Sequence, residues 1–383
     1  MSTPLPSDPK LLARGMADGT IPFPYKHHHM CSSEMGTGSP KHLFRNLCDR
    51  EYVVTGDRPF KTGGARPAIA RTPWGFDRKQ ISFVVDECAY DEVDKLTDYF
   101  TEEARMAANV RGSPAPLDAF RDPATASKIA RLAVSMSKKF GRSFGPGVSD
   151  LREACYKLVP ECTLFKISLA KEIIRFFGAE VVFDPFSGWG DRGLGAAGAG
   201  VKKYVGLDPN PALTEGYARI TDFVRRESPE VRMTYRPLPI EGYGPAEFAE
   251  DFQDGPPTLA FSSPPFYDYE IYSNDPRQSS RHKTLEDWLD QWFLPAVDRV
   301  WGMLAPKGNL ALYLTDARGE VTTPLCKHME KRERRFRGVL ACRRGSKRPL
   351  PLWVWQKGDA PPPPTMDDYV ETLLEDIYAT MEA

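Results

Sequence analysis

Along the second half of the chain two apolar rhythms take turns. SLAKEIIRFFG, GDRGLGAAGAG, NPALTEGYARITDFVRRE and TLEDWLDQWFLPAVDRVWGML carry apolar residues at every third or fourth position, as a helix burying one stripe requires. AEVVFD, KKYVGLD, VRMTYR, PTLAFS and GNLALYLTD are short runs that read as strands, all but the alternating VRMTYR with the little polar alternation of strands covered on both faces. Their exchange from residue 165 onward predicts a Rossmann-like α/β fold: a doubly wound, mostly parallel sheet with helices on both faces.

Upstream the rhythm weakens. Residues 1–80 are rich in Pro, Gly, Ser and basic residues and read as a loop-rich N-terminal segment. Ile81 opens a strand, ISFVV. Residues 94–110 read as a helix with Leu96, Phe100, Ala104 and Ala107 on one stripe and Thr97 at its cap, and 124–140 as a second helix closed by a left-handed Gly141. The expected organisation is therefore a partly helical N-terminal extension, with 81–150 an accessory region suited to substrate recognition. The α/β domain follows at 151–358, then a proline spacer and amphipathic helix at 359–383. In that tail Pro361–Pro364 are stiff, and Val370, Leu373, Leu374, Ile377, Tyr378 and Met381 share one stripe, a face for self-association or for docking on the protein's own body.

Charge narrows the partners. With 51 Lys and Arg against 52 Asp and Glu, no global field announces nucleic acid, so such a partner has to be met by a local patch. The strong one is KHMEKRERRFRGVLACRRGSKR, 327–348, with Phe336 interleaved; its KRERR also suits a nuclear address. No stretch of about 20 apolar residues exists, and MSTPLPSDPKLL lacks the order of a signal peptide, so the expectation is an intracellular chain, cytoplasmic or nuclear, without a membrane partner. The seven cysteines contain no CxxC and read as reduced thiols. His27, His28, His29, Cys31, His42 and Cys48 match no standard zinc spacing, and no metal is expected.

The chemistry concentrates in two places. VVFDPFSGWGDRGLG, 181–195, is a strand ending at Asp184, a loop turned by Gly188 and Gly190, and a helix start, the arrangement that holds a ligand at a strand's carboxyl end. A second strand ends in Asp208, about twenty residues past the glycines, where an acid can accept both hydroxyls of a ribose. Read blandly, the glycines are turn formers and Asp208 a helix cap. A pyrophosphate would need the helix N-terminus free of acid, yet Asp191 and Arg192 stand there, which suits a cationic methionine end and points to S-adenosylmethionine.

The second place is FSSPPFYDYEIYS, 261–273. Two successive prolines at a strand end fix a corner that brings no backbone donor. DPFSGWGD followed by SPPF resembles the exocyclic-amino methyltransferases, class I S-adenosylmethionine-dependent enzymes that methylate cytosine N4 or adenine N6, chiefly in DNA. The resemblance covers residues 160 to 357. It implies a catalytic corner of Ser263, Pro264, Pro265 and Phe266, and a cofactor site of Thr163, Phe165, Asp184, Phe186, Gly188, Gly190 and Asp208, with Glu241 near the adenine.

In that chemistry Ser263 Oγ and the Pro264 carbonyl accept the two amine N–H groups, and Phe266 offers a face to a base swung out of its stack. Serine in the first position leans toward cytosine, so the expectation is an N4-cytosine DNA methyltransferase. Alternatives are adenine N6 in DNA or RNA, a catalytically silent nucleic-acid-binding subunit, or a small-molecule enzyme. Asp268, Glu270, Tyr272 and Gln278–Ser280 read as a lid over the flipped base, or as plain surface.

Overall fold

A computed structural model describes residues 5–26, 38–56, 82–85, 92–141, 145–265, 267, 269–273, 275–314, 319–344 and 350–358. The histidines at 27–29, Cys31, Phe266, Asp268 and the helix expected at 365–383 lie outside the described residues. The strands, in chain order, are β1 (Val53–Gly56), β2 (Ser82–Val85), β3 (Asn109–Val110), β4 (Val181–Asp184), β5 (Lys203–Leu207), β6 (Arg232–Arg236), β7 (Leu259–Ser262), β8 (Glu270–Ile271), β9 (Asn309–Tyr313), β10 (Arg335–Arg344) and β11 (Leu350–Gln356). Two compact units divide them.

The helical unit draws on Met1–His42, Lys95–Leu164 and Asp268–Asn274. Its core is built from small and aliphatic side chains, Leu12 and Met16 of helix Pro9–Ala17 meeting Ile129, Ala130 and Ala133 of helix Pro123–Lys139 and Ala154 of helix Val148–Leu158. Asp122 accepts the Thr125 amide at 2.8 Å to start the long helix, and Gly141, at φ 69°, closes it as expected.

The helix expected over 94–110 is shorter. A 3-10 turn, Glu92–Lys95, precedes helix Asp98–Met106, and Thr97 lies in helical conformation without a capping bond from its side chain. Asn109 and Val110 then leave the helical path to pair antiparallel with Ile271 and Glu270. Buried Arg105 is ion-paired to Asp98 and Glu161.

The sheet unit holds nine strands in the order β1-β2-β10-β11-β9-β7-β4-β5-β6. Pairing is parallel except where β11 runs against β9 and β10, and β1 against β2. β4, β5 and β7 are fully buried apart from Val181, which explains their unbroken apolar runs. Helices Ile167–Phe176 and Asp191–Ala199 approach so closely that a Cβ added at Gly195 would stand 2.6 Å from Ala170 Cβ.

The helix expected over TLEDWLDQWFLPAVDRVWGML is interrupted. Helix Leu285–Trp288 passes through a π turn, Leu289–Phe293, into helix Leu294–Met303. Leu294 donates to the Leu289 carbonyl in the wide turn just ahead of Pro295, which has no N–H and would clash in a regular turn.

Candidate active site at the sheet switch point

The chain winds from β4 outward through β5 and β6, then crosses to β7 on the other side of β4. The loops after β4 and β7 therefore part at the switch point, the crevice where doubly wound sheets receive ligands. Asp184 anchors this crevice from beneath. Fully buried, its Oδ2 accepts Arg192 Nε and Tyr204 Oη, both at 2.8 Å, and its Oδ1 accepts Ser262 Oγ at 2.6 Å.

Arg192 also donates to the Phe186 carbonyl, and its guanidinium lies 5.4 Å from the centre of the Phe165 ring. Asp191 accepts the Phe165 amide at 3.3 Å. Both helix-start residues are buried, Asp191 at 2% and Arg192 at 4% exposure, their side chains turned into this network.

The glycine loop is held from behind by tyrosines. Tyr217 and Tyr235 stack with centroids 4.1 Å apart; Tyr217 Oη donates to the Gly188 carbonyl and Tyr235 Oη to the Gly190 carbonyl at 3.3 Å. The two glycines differ in purpose. At Gly188, φ 55°, an added Cβ would meet nothing closer than 4.0 Å, so the bare backbone faces open space. At Gly190, φ 94°, the Cβ would stand 2.6 Å from Ile220 Cδ1, so this glycine is there for packing.

Asp208 follows β5 and joins the loop. Its Oδ2 accepts the Gly188 amide at 3.1 Å and its Oδ1 the Asn210 amide at 2.9 Å. The residue is only partly open to solvent, and loss of hydration pushes its carboxyl up to about 7 despite those two amides. Asn210, not Asp208, caps the next turn by accepting the Ala212 amide.

After β7, Ser263 is partly exposed and Pro264 buried. Among the described residues neither Ser263 Oγ nor the Pro264 carbonyl has a hydrogen-bond donor. The Pro265 carbonyl is taken by the Tyr267 amide at 3.1 Å, with Tyr267 in the left-handed region at φ 41° and its hydroxyl on the Lys283 carbonyl at 2.6 Å. Trp288 and Trp292 of the interrupted helix link Tyr267 to Phe186, with ring centroids 6.2, 5.1 and 5.4 Å apart in turn. An aromatic chain thus joins the two loops of the crevice.

The segment around 275–281, part of the polar stretch expected as a lid or as plain surface, forms a strap. Asp275 holds Arg277 through both carboxylate oxygens, and Arg277 Nη2 reaches the Pro209 carbonyl at 3.0 Å and Nη1 the Pro237 carbonyl at 3.3 Å. Arg281 pairs with Glu241 at 2.7 Å. The segment is pinned across the loops that follow β5 and β6; the turn-forming pair Asp275-Pro276 is its only local signal among the described residues. Thr163 belongs to the helical unit, where its amide and hydroxyl both donate to Glu270 Oε1 at 3.1 and 3.2 Å.

The basic stretch is only partly a charged surface. His328, Arg332 and Arg334 converge on Asp298, outweighing its burial and holding its carboxyl below the usual range. Phe336 packs against Trp353 and Trp355 instead of pointing outward. Lys327, Lys331, Arg335 and Arg337 remain exposed, and the side chains beyond Cys342 in this stretch lie outside the described residues.

Fold and crevice together define a Rossmann-like, doubly wound α/β protein. Among solved structures the chain is similar to an rRNA methylase from Streptococcus thermophilus, at 17% identity and a TM-score of 0.30 over 50% of this chain and 93% of that one. It is also similar to a precorrin-6y C5,15-methyltransferase from Geobacter metallireducens, at 16% identity and a TM-score of 0.29 over 50% and 87%. A methyltransferase from Geobacter sulfurreducens gives 13% identity and a TM-score of 0.30 over 60% and 88%. No protein-family model and no curated protein matches the chain.

Proposed function

We propose that the sheet unit is an S-adenosylmethionine-dependent methyltransferase that methylates an exocyclic amino group of a base in nucleic acid, with cytosine N4 in DNA as its substrate. The observation that carries this reading is the meeting, at one switch point, of the Gly188–Asp208 recess with two acceptors that have no protein donor, Ser263 Oγ and the Pro264 carbonyl. The residues fit the cofactor. Gly188 leaves room for a ligand against the backbone, Asp208 keeps acceptor capacity for ribose hydroxyls, and Glu241 has Oε2 available beyond its bond to Arg281.

When bound, the cofactor supplies a methyl group on a positively charged sulfur. An exocyclic amine is a weak nucleophile because its lone pair is spread into the ring. Ser263 Oγ accepts one amine N–H and the Pro264 carbonyl the other, which holds the nitrogen pyramidal with its lone pair aimed at the methyl carbon. The proton that the amine has to give up would leave to solvent past the same two acceptors, Ser263 Oγ and the Pro264 carbonyl. Exposed Lys327, Lys331, Arg335 and Arg337 support a polyanionic partner.

The test is transfer of labelled methyl from S-adenosylmethionine to unmodified DNA and, in parallel, RNA, followed by nucleoside digestion and mass analysis. N4-methylcytosine in DNA is expected. N6-methyladenine would retain the corner's chemistry and overturn the choice of base; no product on either polymer, with no cofactor binding, would sink the proposal.

Asp208 gives the reading a pH signature. Its folded-state pKa of about 7 lies above the ordinary 3.8, so its contribution to stability is complete below pH 3.8 and is lost as pH rises toward 7. A diol that donates to the carboxylate favours the ionised form. Cofactor affinity should therefore rise with pH through the region around 7, with a proton released on binding near pH 6.5, a difference seen by calorimetry in buffers of unlike ionisation enthalpy. Asp208→Asn should flatten the profile; an unchanged profile would remove Asp208 from the ribose.

A further inference from the structure

Between Asp122 and Asp150 the chain has no acidic residue, the longest such interval in the sequence. Helix Pro123–Lys139 occupies most of it and buries Ala126, Ile129, Ala130, Ala133 and Val134 in the core of the helical unit. On its outward side Lys128, Arg131, Lys138 and Lys139 are all exposed. At 3.6 residues per turn they fall within an arc of about 100°, in a row about 15 Å long. Ala124 and Ser135 share that arc, so no long side chain stands in front of the cations. None of the four makes an ion pair among the described residues, and Arg131 Nε donates only locally, to the Ser127 carbonyl at 3.1 Å. Asp122, which starts the helix, gives its carboxylate to the Thr125 amide.

Helix stability does not account for the whole row. The helix dipole favours Lys138 and Lys139 in the last turn, but it gives no support to Lys128 and Arg131, which also repel each other three residues apart. The basic stretch at 327–348 makes a useful contrast. There Arg332 and Arg334 are engaged by Asp298, and Glu330 and Glu333 stand exposed among the remaining cations. The outward face of helix Pro123–Lys139 carries one sign of charge only. Its apolar stripe is committed to the core, so the helix has none to turn toward a bilayer. Phe140, 64% exposed, is the one large apolar side chain exposed on this helix or its cap. A straight, rigid row of unpaired cations with small residues between them complements a straight, rigid polyanion.

Resting on the nucleic-acid reading above, we infer that this face of helix Pro123–Lys139 is a docking surface for the phosphate backbone of duplex DNA. Lys128, Arg131, Lys138 and Lys139 meet phosphates and release their counterions, which supplies affinity and fixes the position of the duplex without reading its sequence.

The experiment is fluorescence anisotropy of the full chain with two labelled DNA duplexes of unrelated sequence, across about 50 to 200 mM salt. Combining Lys128→Gln, Arg131→Gln, Lys138→Gln and Lys139→Gln should reduce the slope of log K against log salt by about 3 to 4 and weaken both duplexes by the same factor. Lys128→Arg, Lys138→Arg and Lys139→Arg together should keep the wild-type slope. Because all the altered side chains are exposed and make no ion pair, the urea midpoint and the affinity for S-adenosylhomocysteine should not move in either variant. An unchanged slope in the glutamine variant overturns the inference and leaves the proposed function standing. Unchanged DNA binding with lost capture by phosphatidylserine vesicles assigns the face to a membrane and overturns it as well. A wild type that binds no duplex at low salt overturns the nucleic-acid substrate and the inference with it, while calorimetric titration with S-adenosylhomocysteine tests the cofactor reading separately.

Discussion

Replacing Ser263 by alanine is expected to lower kcat by about 10²- to 10³-fold, the scale seen when one preorganised group aimed at developing charge is removed. The expectation follows from what the corner lacks. Ser263 Oγ has no donor within the described protein, so its lone pairs are available to an amine N–H, and no other side chain stands in for it in the described loop. In the transition state the nitrogen gains positive charge and its N–H groups become stronger donors, so the bond to Oγ tightens there and the loss falls on kcat. Single-turnover methyl transfer with saturating cofactor measures this directly. Cofactor affinity should be unaffected, because the recess at Gly188 and Asp208 belongs to different strands. Methyl transfer within about twofold of wild type would remove the hydroxyl from the chemistry, since a charge-directed acceptor cannot be worth so little.

Asp184→Ala should destabilise the fold by about 3–5 kcal/mol, the cost of leaving a buried partner charge uncompensated. Arg192, 4% exposed, would keep its proton and lose its carboxylate. Tyr204 and Ser262 would lose their bonds of 2.8 and 2.6 Å to the carboxylate. The same substitution removes the bond between the ends of β4 and β7, so the crevice should loosen along with the global loss. Chemical denaturation with urea measures the first effect. The double variant Asp184→Ala, Arg192→Met should recover part of it, because removing both charges spares the uncompensated guanidinium. A single variant as stable as wild type would mean the network is replaced by solvent.

What could be read from the residues, and what could not, follows the range of the interactions. β4, β5, β7 and β9 announced themselves because each is buried along most of its length and carries an apolar run, whereas the two-residue β8 gave no such signal. The Gly188–Asp208 pair was legible because its spacing is set by one strand, one helix and the next strand. The rest depends on residues far apart in sequence. Ser262, which grips Asp184, sits one position before the motif and looks like any strand-end serine. Arg192 reads as a residue of the helix start beside the ligand until Asp184 is placed against it, and Arg332 and Arg334 read as a phosphate track until Asp298 is found beside them. Tyr217 and Tyr235 are ordinary helix and strand residues by pattern, and only their stacking reveals them as supports of the loop. The anchoring of the strap was not legible, because nothing in its sequence specifies carbonyls as the targets of Arg277.

The order of the strands has a consequence for how the chain is made. β11, the last strand in sequence, lies in the interior of the sheet, between β9 and β10. β2, near the start, pairs with β10 and through it depends on β11. During synthesis the paired β1 and β2 therefore have no neighbour until β10 has left the ribosome, and β10 reaches the rest of the sheet only through β11, while β4, β5, β6, β7 and β9 can already associate. The nascent sheet spends that interval with the backbone of β9 as an open edge, awaiting β11. Completion of the sheet is thus tied to the arrival of β11, the last of the described strands, so that a chain halted before residue 350 presents an unpaired β9 edge.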